Sequence, residues 1–222
     1  MLPEWRKEMQ SHRRLEGIDV SHWEGRIDFP EVRRDGIRIV YIKASEGERE
    51  VDPDFERNYR EAQTAGLKIG FYHYLTARTA EEGREQARHF AGVIREKQYE
   101  ACPVMDFESF DSLEREQINT VALAFLRELE TLTEKKVAVY SDAGNAANIF
   151  DERLAFYPLW IAEYGVERPE MNNDWREWAG WQYTDAGRAR GIEGMVDRDY
   201  FTESILADRS TVLRPRNCEE EE

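Results

Sequence analysis

"ACPVMDFE", residues 101–108, reads as a strand made for an interior, yet it carries Asp106 and Glu108. Side chains alternate along a strand, so these two carboxylates should face the same way, roughly 7 Å apart. Neighbouring anions in a poorly solvated place oppose each other's ionisation. A strand end, with one residue capping a turn and the other in water, would explain a lone Asp-x-Glu. The flanking elements therefore decide how the pair is read.

Working outward, seven similar runs flank it. "GIDVSH" (17–22), "IRIVYIKAS" (37–45) and "LKIGFYHYL" (67–75) come before, and "KVAVYS" (136–141), "PLWIAEYG" (158–165), "WAGWQYT" (178–184) and "GMVDRDYF" (194–201) after. Apolar runs without alternation are the mark of strands covered on both faces. A helix over 52–66 opens with Asp52-Pro53 and stops at Gly66. Thr79 and Glu82 predict a capping box for a second helix over 80–96, with Phe90, Val93 and Ile94 on one stripe. A third, about 114–134, aligns Ile118, Val121, Phe125, Leu129 and Leu132. After residue 165 little room is left for helices. The expected fold is α/β: a single, irregular (β/α)8 TIM-like barrel of eight strands, parallel but closing irregularly, with fewer helices in its C-terminal half. It should span 16–204, between a charged extension (1–15) and a polar acidic tail (205–222).

Composition narrows the function. A net charge of −15, partly from the closing "CEEEE", argues against nucleic acid and anionic membrane as partners, since both select basic patches. No apolar run reaches the roughly 18 residues of a spanning helix. "MLPEWRKEMQSHRR" (1–14) is charged and has no apolar core, so it is not read as a signal peptide. Six Trp and ten Tyr supply a large core and flat faces for stacking. Cys102 and Cys218 make no disulfide framework.

Active sites of such barrels gather at the C-terminal ends of the strands. Taken strand by strand, those ends offer Asp19, Ser21 and His22; Glu46; Tyr72, His73 and Tyr74; Asp106 and Glu108; Tyr140; Glu163 and Tyr164; Gln182 and Tyr183; and Asp197. Acidic groups converging from several strands serve no stable core. They suit a cleft that meets developing positive charge or binds hydroxyl groups. His22 and His73 read as hydrogen-bonded imidazoles, because no His-x-His or His-Glu-x-x-His spacing is present.

The wording and order of "GIDVSHWEGRIDFPEV", "IVYIKASEG", "PVMDFE", "YPLWIAEYG" and "WQYTDAGRARGIEGMVDRDYF", over about residues 16–201, resemble the family 25 glycoside hydrolases, the muramidase-type lysozymes of bacteria, phages and some fungi. The resemblance implies hydrolysis of the β-1,4 bond between N-acetylmuramic acid and N-acetylglucosamine in bacterial peptidoglycan glycan strands, with no cofactor and no metal. It implies action at the bacterial cell wall after secretion or release by lysis, and a monomer is expected. Asp19, Asp106, Glu108 and Asp197 match the family's acidic cluster, with Glu108 at the general-acid position. Tyr72, Tyr74, Tyr140, Trp181, Gln182 and Glu46 would then line sugar subsites.

The chemistry needs a proton for the leaving oxygen and a partner for the oxocarbenium-like centre. An ionised Asp106, with Asp19 and Asp197 nearby, would hold the proton on Glu108. The nucleophile is either Asp19 or Asp197, or the substrate's own N-acetyl group oriented by Asp106; both routes retain configuration. Two other classes fit some of the residues. One is a metal-dependent polysaccharide deacetylase using Asp19, Asp106 and a histidine, which chelators would inhibit. The other is an idle glycan-binding barrel, which should have lost one of the four acids.

Overall fold

The computed structural model describes residues 14–207 apart from 111 and 173. Eight strands close into a barrel: β1 (Leu15–Val20), β2 (Ile39–Glu46), β4 (Lys68–Tyr74), β5 (Val104–Asp106), β6 (Ala138–Asp142), β7 (Leu159–Ala162), β8 (Gly180–Gly187) and β9 (Val196–Phe201). A two-residue strand, β3 (Glu50–Val51), folds back on the end of β2. Neighbours from β1 through β8 are parallel. The closure is irregular at the eighth barrel strand, β9, which runs antiparallel to both β8 and β1. The reason is length: residues 188–195 are too few for the crossover that a parallel return requires.

Three of the five helices follow the expected signals. In α2 (Phe55–Ala65) the chain stops at Gly66, whose φ of 72° is the left-handed conformation of a helix C-terminus. The Thr79 hydroxyl accepts the Glu82 N–H at the start of α3 (Ala80–Ile94), but the Glu82 carboxylate takes the N–H of Arg78 rather than that of Thr79. The box is therefore half formed. Along α4 (Arg115–Thr133), Ile118, Val121, Phe125 and Leu129 are buried while Leu132 is exposed. Two short helices were not expected. The first, α1 (Phe29–Arg34), carries legible signals, with Asp28 capping Glu31 and Pro30 in the first turn. The second, α5 (Ala143–Asn148), is capped by Asp142.

Two apolar layers result. Ile39, Tyr41, Val104, Ala138, Trp160 and Phe201 fill the barrel, and a larger layer joins its outer face to the helices. Large rings inside need missing side chains opposite them: a Cβ on Gly70 would lie 2.3 Å from the Tyr41 ring. At the far end from the cleft, Leu15 pairs with Phe201, Ile205 and Ala207 are buried, and Leu206 bridges Ala101. Among the described residues, packing against the barrel therefore includes Leu15 at one end and Ala207 at the other. Most of the expected extension and tail, Cys218 included, lies outside the described residues. Among the described residues no helix is long and apolar enough to cross a membrane. Gly70→Ala should cost about 1–3 kcal/mol by overpacking, read as a lower midpoint in urea unfolding with an unchanged slope.

Candidate active site

The antiparallel β9 sets Asp197 directly opposite Asp19, so Asp197 enters the cleft from the start of its strand rather than the end. Between them stands Gln182 of β8. Its Nε2 donates to Asp19 Oδ2 at 2.8 Å and to Asp197 Oδ2 at 3.2 Å, and its Oε1 accepts the hydroxyls of Tyr140 at 2.9 Å and Tyr164 at 2.5 Å. Both amide hydrogens and both carbonyl lone pairs are engaged. The two tyrosine donors fix which way round the amide sits.

Asp19 and Asp197 are both harder to ionise than usual. Burial lifts Asp19 well above the ordinary carboxylate range; the charges of Asp199 and Asp197 add to it and the Gln182 hydrogen bond opposes it. Burial, then Glu24, Asp185 and Glu108, pushes Asp197 up to about 6. Glu24 itself accepts the N–H of Ser21 at 2.6 Å, closing a cap on the 3-10 turn His22–Glu24.

Asp106 ends β5 and is buried, whereas Glu108 lies past the strand and is exposed. Their carboxyls share a hydrogen bond, which one of them must donate. Burial and the Glu108 charge hold Asp106 well above its ordinary value, and the shared bond raises Asp106 while lowering Glu108. In the unliganded site Asp106 is thus the harder of the two to ionise. The physical reason is depth, since the more buried carboxyl loses more by ionising. Glu108 is still lifted by partial desolvation and by Asp142, rather than by Asp19 as expected.

The remaining expected residues divide by strand face. Tyr72 points inward, edge-on to Trp160, and burial together with Asp19 and Asp106 strongly disfavours its ionised form. The Tyr74 hydroxyl meets Ser109 Oγ at 2.6 Å, and Glu46 pairs with Lys43 at 2.7 Å. The Lys43 ammonium also lies 5.2 Å from the Tyr74 ring centre and is the cation that eases ionisation of Asp106. Trp181 does not join them. Adjacent to the inward Gln182, it faces out, donates to the Glu163 carbonyl and packs with Trp178, Tyr183 and Tyr200. A one-residue step along a strand reverses the face.

His73 also faces out, between Ser45 Oγ at 2.9 Å and Gln86 Oε1 at 3.2 Å. Gln86 Oε1 also accepts the Thr76 N–H, so His73 Nε2 carries the hydrogen and Ser45 donates to Nδ1. Burial lowers this imidazole to about 3 and keeps it neutral. His22 Nδ1 meets Asp52 Oδ2 at 2.7 Å.

Asp142 and Asp199 were missed. Asp142 ends β6 beside Glu108 and accepts both the backbone and the side-chain N–H of Asn145. Asp199 lies two residues beyond Asp197, the spacing that singled out Asp106 and Glu108, and it is fully buried. That alternation was the available signal.

A closed barrel with paired carboxyls and tyrosines at its mouth has the architecture of an acid–base glycosidase. The chain belongs to the glycosyl hydrolases family 25, whose sequence profile matches residues 18–192. It is 34% identical over 203 residues to the autolytic lysozyme of Clostridium acetobutylicum, covering 90% of this chain but only 60% of that protein. It is 33% identical to lysozyme M1 of Streptomyces globisporus, covering 86% of this chain and 68% of the relative. The crystal structure of a bacterial lysozyme from Streptomyces coelicolor superposes with a TM-score of 0.74 at 31% identity, over 84% of this chain and 91% of the other.

Asp197 yields a stability prediction. Its folded value of about 6 exceeds the ordinary aspartate value of 3.8, so between those limits the folded protein binds more protons than the unfolded chain. The favourable contribution is whole below about pH 4 and is lost as pH rises through about 6. Asp197→Asn keeps an acceptor for Gln182 and removes this loss. Its melting temperature at pH 7 should exceed the parent's by roughly 2–4 °C, corresponding to about 1 kcal/mol after solvent screening. By pH 4 the difference should shrink.

Proposed function

We propose that the protein is an N-acetylmuramidase that hydrolyses the β-1,4 bond between N-acetylmuramic acid and N-acetylglucosamine in bacterial peptidoglycan with retention of configuration. The observation that carries this reading is the pair of interacting carboxyls at the mouth of the barrel, Asp106 buried and Glu108 exposed. Family membership and relatives named as lysozymes support the substrate class. The protein works as a monomer at the cell wall, reached by secretion or by release on lysis.

In the proposed cycle a bound glycan strand covers Glu108 and takes it out of water. Desolvation then raises Glu108, and the proton passes to it from Asp106. One transfer prepares both partners, an acid against the leaving oxygen and an anion beside the N-acetyl group. Glu108 protonates the glycosidic oxygen as the C1–O bond breaks. The N-acetyl carbonyl oxygen bonds to C1, its N–H directed at Asp106. Water then attacks C1 and gives a proton to Glu108, which reopens the ring with the original configuration. Asp19 and Asp197, held by Gln182, stabilise the positive charge developing at the sugar. Tyr72, Tyr74 and Tyr140 flank the sugar rings, and Glu46 with Lys43 meets their hydroxyl groups.

Digests of purified peptidoglycan should contain reducing N-acetylmuramic acid ends, first appearing as the β anomer in NMR spectra. Reducing N-acetylglucosamine ends, or initial inversion, would overturn the assignment. Glu108→Gln should lower kcat by roughly 10²-fold or more while leaving the melting temperature unchanged or higher, since it removes an acid and a source of repulsion together.

A further inference from the structure

Asp199 is a fully buried carboxyl that the proposed cycle does not use. It faces the barrel interior below the cleft, where the strand register sets it against Gly17 of β1 and Gln182 of β8. Its Oδ1 accepts the indole N–H of Trp160 at 2.9 Å. Its Oδ2 is sealed from solvent with no donor group upon it. Asp19 lies two residues along β1 from the Gly17 that faces Asp199, on the same face of the strand, and its side chain interacts with that of Asp199. A buried carboxylate oxygen without a donor is costly, and two carboxylates in contact are costlier still. One proton between them removes both costs.

We propose that Asp199 is a positioning residue that holds Asp19 through a proton shared by the two carboxyls, so that the pair carries one negative charge. This deepens the proposed function and rests on it for its effect on catalysis. Asp19 is then held from two strands, by Gln182 of β8 and by Asp199 of β9. The groups facing the pair favour the proton. Asp197, Glu24 and the rings of Tyr41 and Tyr72 offer no positive charge, and Arg198, on the outer side of β9, opposes it weakly. Burial keeps both members above the ordinary carboxylate range. An asparagine at this position would copy the protonated form, with its oxygen toward Trp160 and its amide N–H toward Asp19. A leucine would leave both without a partner.

The test compares Asp199→Asn and Asp199→Leu with the parent. Infrared spectra at neutral pH should show the C=O stretch of protonated carboxyl in the parent and a weaker band in Asp199→Asn; the remainder belongs to the Asp106–Glu108 pair and should disappear with Asp106→Asn. The folded pair binds its proton above the pH where the unfolded carboxyls lose theirs, so parental stability falls as pH rises from about 4, and Asp199→Asn should flatten that fall. Its kcat/KM at the optimum should stay within about threefold of the parent, whereas Asp199→Leu should lose at least tenfold. An unchanged band and an unchanged pH slope in Asp199→Asn would overturn the shared proton. Equal activity of the two variants would overturn the positioning role. The spectroscopic and thermal readouts need no substrate, so they stand apart from any failure of the muramidase reading.

Discussion

One amide side chain holds the mouth of this barrel together. Gln182 joins the carboxyls of β1 and β9 to tyrosines on β6 and just after β7, using every hydrogen-bonding position it has. Asp19 and Asp197 repel each other, and left alone they would turn apart. Two hydrogens on one nitrogen keep them converging on the same space. Rotating the amide would set its oxygen against two anions and its hydrogens against two hydroxyl donors, so the network has one arrangement.

The second constraint is a shortage of cations. Asp19, Asp106, Glu108, Asp197 and Asp199 are all shifted toward their protonated forms, with burial as the leading cause in each. Lys43 and Arg198 relieve this only partly. Such a site stores protons where most protein surfaces store charge. The fold accepts this repulsion because the helices and the Trp160–Tyr41–Phe201 packing lie below or outside it.

Much of the architecture could be read from the chain because buried strands and capped helices leave local marks. The eight barrel strands and three long helices are of this kind. The direction of β9 has no such mark in its own residues; it follows from the short connection before it. Trp181 and Gln182 show the limit more sharply. Both sit in one apolar run, and only the register of β8 against β7 and β9 decides that the amide faces in and the indole out. The unequal depth of Asp106 and Glu108 was also hidden. Sequence gives two carboxylates of similar chemistry, and their difference in depth arises because regular pairing stops at Asp106, leaving Glu108 at the rim.

The pairing of Leu15 with Phe201 has a spatial consequence. Leu15 starts from the floor of the barrel beside Phe201, and the chain beyond Phe201 runs across that floor until Leu206 bridges Ala101 below β5. Both described ends therefore lie opposite the mouth, and a long polymer laid across the open face meets neither of them.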